Sequence, residues 1–129
     1  MIASKTKKLF NYFKNSKINI LSQDFEKVLQ KAKKGDFVYL DPPYDQIKNK
    51  NSFISYTNEI FDRDQQERLF QTFEKLSAKG AQVMLSNHNT EFINQLYKNT
   101  IFMLYKAKRM INSKGTGRGF IEEVVITNY

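Results

Sequence analysis

Four residues, Asp41-Pro42-Pro43-Tyr44, end an apolar run, Phe37-Val38-Tyr39-Leu40. Proline has no N–H and cannot continue a central strand, so the pair ends strand pairing and fixes an extended, rigid turn. Carbonyl oxygens are then left facing outward beside one carboxylate, Asp41. The result is a group of acceptors without a donor, suited to a ligand that carries two N–H bonds on one nitrogen, such as the amino group of a nucleobase. Tyr44 adds a flat ring, and bases undergoing chemistry are commonly flipped out and sandwiched by aromatic side chains. The plainer reading is a strand end closed by a turn, with Asp41 as its cap.

The elements that must position this stretch follow from periodicity. Residues 4–15 read as a basic helix with Leu9, Phe10, Tyr12 and Phe13 on one side. Residues 18–21 are a short apolar run and are expected to form a strand. Residues 22–35 read as a helix with Phe25, Val28, Leu29 and Ala32 at helical spacing, Ser22 or Asp24 as its N-cap and Gly35 at its C-terminal end. Residues 37–40 are apolar on both faces, as in a parallel strand covered above and below. Residues 45–60 read as a long polar loop, and loops of that length in compact domains are usually functional or mobile.

A helix over residues 62–80 is predicted next, with Asp62 and Gln65 spaced as a capping box and Gly80 as its stop. Residues 81–87 are a second buried strand, 90–99 a short helix, and 101–110 and 120–129 two strands joined by the glycine-rich loop "NSKGTGRG". Strands alternating with helices imply a three-layer α/β sheet, and the last two strands imply an antiparallel hairpin. Such sheets bind ligands at the carboxyl ends of their strands. Asp41 and the segment Ser86-Asn87-His88 both stand at such ends and are expected to face one crevice, Ser86 and Asn87 supporting the Asp41 loop. His88, the one histidine, is read as a hydrogen-bonded structural residue. The string GTGRG is not a dinucleotide fingerprint, because a strand follows it where that motif needs a helix.

The 129 residues suffice for one core. There is no cysteine, which excludes disulfides and thiolate metal sites and fits a cytoplasmic setting. Neither a membrane span nor a secretory signal is read. The net charge of +8 favours polyanionic partners, or else a face of ordinary solvated lysines.

The segments "FVYLDPPYD", "SFISYT", "DQQERL", "KGAQVMLSNHNT", "INSKGTGRG" and "EEVVITNY" resemble, in order, the C-terminal half of DNA adenine N6-methyltransferases of the Dam type. The resemblance runs from about residue 18 to the end, with residues 1–17 as a remnant of the preceding helix or target-recognition region and 18–129 as the C-terminal part of the catalytic domain. It implies a Rossmann-like methyltransferase sheet lacking its first two strands and ending in an antiparallel hairpin. It also implies S-adenosylmethionine as cofactor, double-stranded DNA as partner, and no metal. Asp41 and the Pro42 carbonyl would accept from the adenine amino group, with Pro43 completing the motif and Tyr44 stacking on the base.

Asp41 would also lie near the methyl donor, and Asp24 and Phe25 match positions around the donor's adenine, beside their readings as helix cap and core. Ser55, Tyr56 and Thr57 match a loop closing over the target, or stand as a solvated loop. Arg109, Lys114 and Arg118 match DNA-backbone contacts, or hairpin charges. The family's glycine-containing donor motif precedes everything present here, the first glycine being Gly35. The chain is therefore expected to be inactive alone, with residues 37–40 an exposed apolar edge that needs a missing N-terminal half or second chain. A non-catalytic nucleic-acid-binding remnant and an RNA or protein N-methyltransferase are the alternatives.

Overall fold

The computed structural model describes residues 2–46, 61–110 and 120–129. The order is α1 (Ile2–Asn15), α2 (Phe25–Leu29), β1 (Phe37–Leu40), α3 (Arg63–Lys79), β2 (Gln82–His88), α4 (Glu91–Leu96), β3 (Ile101–Met110) and β4 (Phe120–Thr127). The strands form one mixed sheet in the order β1-β2-β4-β3. β1 and β2 are parallel, and β4 runs antiparallel to both of its neighbours. The expected α/β alternation and terminal hairpin are both present.

α3 carries the core. Asp62 caps its start by accepting from the Gln65 N–H at 3.0 Å. The reciprocal half of a capping box is not made, because the Gln65 side chain accepts from Arg68 instead. Gly80 ends the helix at φ 87°, a left-handed conformation that glycine adopts without a Cβ clash. Leu69, Phe73 and Leu76 of α3 pack with Leu40, Val83, Leu85, Ile93, Tyr97, Val124 and Ile126 in one cluster, joined at its border by Phe25, Leu29, Phe92 and Leu96. Asn128 ties the chain end to this core, accepting from Val83 N and donating to Ser77 Oγ and the Ala81 carbonyl.

Four expectations need correction. Residues 18–21 form no strand: Ile20 is 86% exposed, and no strand pairs with this segment among the described residues. The helix expected over 22–35 shrinks to Phe25–Leu29, capped by Asp24 rather than Ser22. Its C-cap is Gln30, and Gly35 (φ 88°) instead serves the turn into β1, where Asp36 accepts from the Lys33 N–H. β1 is the exposed edge strand expected of residues 37–40, but its apolar pattern does not mean cover on both faces. Finally, the described structure has two layers: α2, α3 and α4 all pack into one core cluster. On the opposite side of β1, Phe37 and Tyr39 stand 58% and 54% exposed.

Candidate active site

Parallel pairing of Leu40 with Leu85 brings the residues that follow, Asp41 and Ser86, side by side at the carboxyl ends of β1 and β2. The Ser86 hydroxyl donates to Asp41 Oδ1 at 3.1 Å and lies 2.9 Å from the Tyr39 hydroxyl. The turn that follows is held from below by buried amides. Asn87 Oδ1 accepts from the Asp45 N–H at 2.8 Å, and its amino group donates to Gln66 Oε1 at 3.1 Å. Gln66 Nε2 then donates to the Pro43 carbonyl at 2.8 Å. Donors and acceptors alternate along this chain, so both amide orientations are fixed by their partners.

Asp45 is the second anchor. Its buried carboxylate accepts from Thr90 Oγ1 at 2.7 Å and from two nitrogens of Arg63 at 3.3 Å. Arg63 in turn lies 4.5 Å over the Phe92 ring. The Asp45 carbonyl accepts from His88 Nδ1 at 2.7 Å, which places the ring proton on that nitrogen. The His88 ring meets Tyr44 edge-on at 4.9 Å and 78°. His88 is thus a structural brace, as expected, and Ser86 and Asn87 support the loop as expected.

An accounting of acceptors at the strand end decides what the site can do. Ser86 occupies Asp41 Oδ1, and Gln66 occupies the Pro43 carbonyl. Asp41 Oδ2 and the Pro42 carbonyl accept no hydrogen bond from the described residues. Two open acceptors match two N–H bonds on one nitrogen. Asp41, Pro42, Pro43, Tyr44, Gln46 and His88 line an open cleft of about 480 Å³. Burial pushes the Tyr44 phenol above its ordinary value. The Ser86 hydroxyl pulls the other way, and the nearby Glu123 and Asp41 charges add to the rise. Tyr44 therefore stays a neutral ring at physiological pH.

Asp24 and Phe25 lie elsewhere. Arg68 bonds both Asp24 and Glu26 and covers the Phe25 ring at 4.5 Å. That contact holds the Asp24 carboxyl below its ordinary value. Among the described residues, neither Asp24 nor Phe25 shares a hydrogen bond or ring contact with residues 41–44. Arg109 sits on β3 opposite Ile121. Ser55, Tyr56, Thr57, Lys114 and Arg118 lie outside the described residues. No cluster of metal-ligating side chains occurs among the described residues, and no helix among them is long and apolar enough to cross a membrane.

Sequence reasoning overlooked Gln66, Asp45, Arg63 and Thr90. Gln66 had a readable signal, since it shares the inward stripe of α3 with Leu69 and Phe73. A polar residue on a buried stripe must find partners there.

The chain is 42% identical over 118 residues to a type II methyltransferase of Lactococcus lactis subsp. cremoris, covering 92% of this chain and 42% of that protein. A type II methyltransferase of Methanocaldococcus jannaschii is 43% identical over 114 residues, 87% of this chain and 39% of that one. A DNA adenine methylase of Vibrio cholerae is 28% identical over 113 residues, 87% and 41% of the two chains. The chain thus spans about two fifths of the length of these curated relatives. The family model for D12 class N6 adenine-specific DNA methyltransferases matches residues 3–112. With that match over most of its length, and the acidic, proline-punctuated strand end at its centre, the chain belongs to the D12 class of N6 adenine-specific DNA methyltransferases.

Proposed function

We propose that this chain supplies the base-binding end of an enzyme that methylates the amino group of adenine in double-stranded DNA. The observation that carries this reading is the pair of open acceptors, Asp41 Oδ2 and the Pro42 carbonyl, beside the Tyr44 ring. An amino group donating to both is fixed in place, and its lone pair is drawn away from the ring and directed at the incoming methyl. The gain is one of proximity and of acceptors set in advance; the nitrogen takes the methyl as the methyl's bond to sulfur breaks, and one N–H proton leaves toward an acceptor or solvent. Tyr44, braced by His88, offers the stacking surface for the extruded base.

S-adenosylmethionine, when bound, supplies an electrophilic methyl group on a cationic sulfonium. The exposed Asp41 carboxylate beside an open cleft fits a cationic ligand, and Asp24 and Phe25 are proposed to line its adenine side. The basic residues Arg109, Lys114 and Arg118 are proposed to hold the DNA backbone, and Ser55, Tyr56 and Thr57 to close over the target. Residues 18–129 then form the C-terminal part of the catalytic domain, after a short remnant of the preceding region. The free edge of β1, with Phe37 and Tyr39 uncovered beside it, suits further strands of a Rossmann-like sheet. An N-terminal half or a second chain would supply them.

The test is label transfer from tritiated S-adenosylmethionine into an adenine-containing duplex. The chain is assayed alone and fused behind the N-terminal portion of the Lactococcus lactis relative. The expected result is N6-methyladenine from the fusion and none from the chain alone. Label on cytosine, on RNA only or on protein would sink the substrate assignment, and turnover by the isolated chain would sink the need for a second half.

A further inference from the structure

The hydroxyl geometry at the end of β1 allows only one direction of donation. Ser86 has a single hydroxyl hydrogen, and it is donated to Asp41 Oδ1. The 2.9 Å contact between Ser86 Oγ and the Tyr39 hydroxyl must therefore be donated by Tyr39. The result is a directed chain from Tyr39 to Ser86 to Asp41. Tyr39 lies two residues before Asp41 on one strand, so both side chains leave the same face of the sheet. The members of the chain differ in surroundings: Ser86, at its middle, is 6% exposed, whereas Tyr39, at its start, is 54% exposed.

We infer that Tyr39 is a positioning residue for Asp41, acting through Ser86, so that Oδ1 stays occupied and Oδ2 alone is presented to the amino group. This rests on the reading of Asp41 as an acceptor for the substrate amine. A hydroxyl that accepts one hydrogen bond donates a stronger one, so Tyr39 tightens the hold of Ser86 on the carboxylate. With Oδ1 released, the carboxylate turns freely about its Cβ–Cγ bond, and the alignment of the amine with the methyl group is lost. Neither Tyr39 nor Ser86 needs to touch the substrate.

Two measurements test this, and they fail separately. The first needs no activity. With the aspartate carboxyl carbons labelled in the 129-residue chain and the Asp41 signal assigned through Asp41→Asn, that signal should move in Ser86→Ala. It should move in the same direction, by less, in Tyr39→Phe, and stay in place in Tyr12→Phe, where the ring lies on α1. An Asp41 signal unmoved by Tyr39→Phe overturns the relay whatever the activity. The second measures single-turnover methyl transfer by the fusion. Loss of one hydrogen bond from the chain should lower the rate about tenfold in Ser86→Ala and a few-fold in Tyr39→Phe. The KM for DNA should stay put, and Ser86→Thr should restore most of the rate. Full rate in both variants, with Asp41→Ala inactive, overturns the relay and leaves the proposed function standing. A moved signal together with full activity in Asp41→Ala would keep the geometry and overturn both the function assigned to Asp41 and the positioning role that depends on it.

Discussion

Helices α1 and α3 both carry apolar residues at helical spacing, and they meet opposite fates. On α3, Leu69, Phe73 and Leu76 are 3%, 1% and 2% exposed. On α1, Leu9, Phe10 and Phe13 are 55%, 63% and 44% exposed. An apolar stripe shows which face a helix would bury, not whether a surface exists to receive it. α3 has the inward face of the sheet beneath it. α1 has no such surface among the described residues. The same contrast separates the two sides of β1, where Leu40 faces the core while Phe37 and Tyr39 do not.

The contrast makes graded predictions for urea unfolding. Phe73→Ala should cost the most, about 3–5 kcal/mol, because it opens a cavity among α3, β2 and Tyr97. Gln66→Ala should cost less, about 1–3 kcal/mol, since it strands the buried Asn87 amide and the Pro43 carbonyl. Phe10→Ala should change stability by no more than about 0.5 kcal/mol in this chain. If Phe10→Ala matched Phe73→Ala, the distinction between the helices would collapse. Tyr97→Phe should be neutral or slightly stabilising. The Tyr97 ring packs edge-on with Phe70 and Phe73, its hydroxyl is buried without a hydrogen-bond partner among the described residues, and removing it discards a desolvated polar atom.

The weakest effect concerns pH. Arg68 lowers the Asp24 carboxyl below its ordinary value. A depressed folded-state value contributes stability that is present above the unfolded value and is lost as pH falls through the folded one. Since Asp24 is exposed, solvent screens the pair. In Arg68→Ala, stability should therefore change with acid slightly less steeply than in the parent chain. A steeper loss would mean that the α2–α3 contact is held by something else.

Most of what the fold needs was legible in the residues. The carboxyl end of β1 follows from its two prolines, the α3 boundaries from Asp62 and Gly80, and the hairpin from two strand patterns with no helix between. Residues 18–21 misled because an apolar run specifies a strand only when another strand lies beside it. α2 stopped early because the Asp36–Lys33 turn and the left-handed Gly35 redirect the chain toward β1. The site divided in the same way. Asp41, Ser86, Asn87 and Tyr44 follow from the strand ends, which are local features. Gln66, Arg63 and Thr90 reach the turn from other elements, and their roles depend on how α3 and α4 dock. Tyr39 looked like an ordinary strand residue, since only the register with β2 brings its hydroxyl to Ser86.

Single-turnover methyl transfer by the fusion, with and without Asp41→Ala, is the most direct test of the account. It should be paired with a duplex-binding measurement on the same two proteins. The predicted result is a rate loss of at least about a hundredfold with duplex affinity held within a few-fold, as expected for an acceptor that acts in the transition state. Unchanged turnover in Asp41→Ala would contradict the account, because the open pair of acceptors at the end of β1 would then not be where the amino group is held.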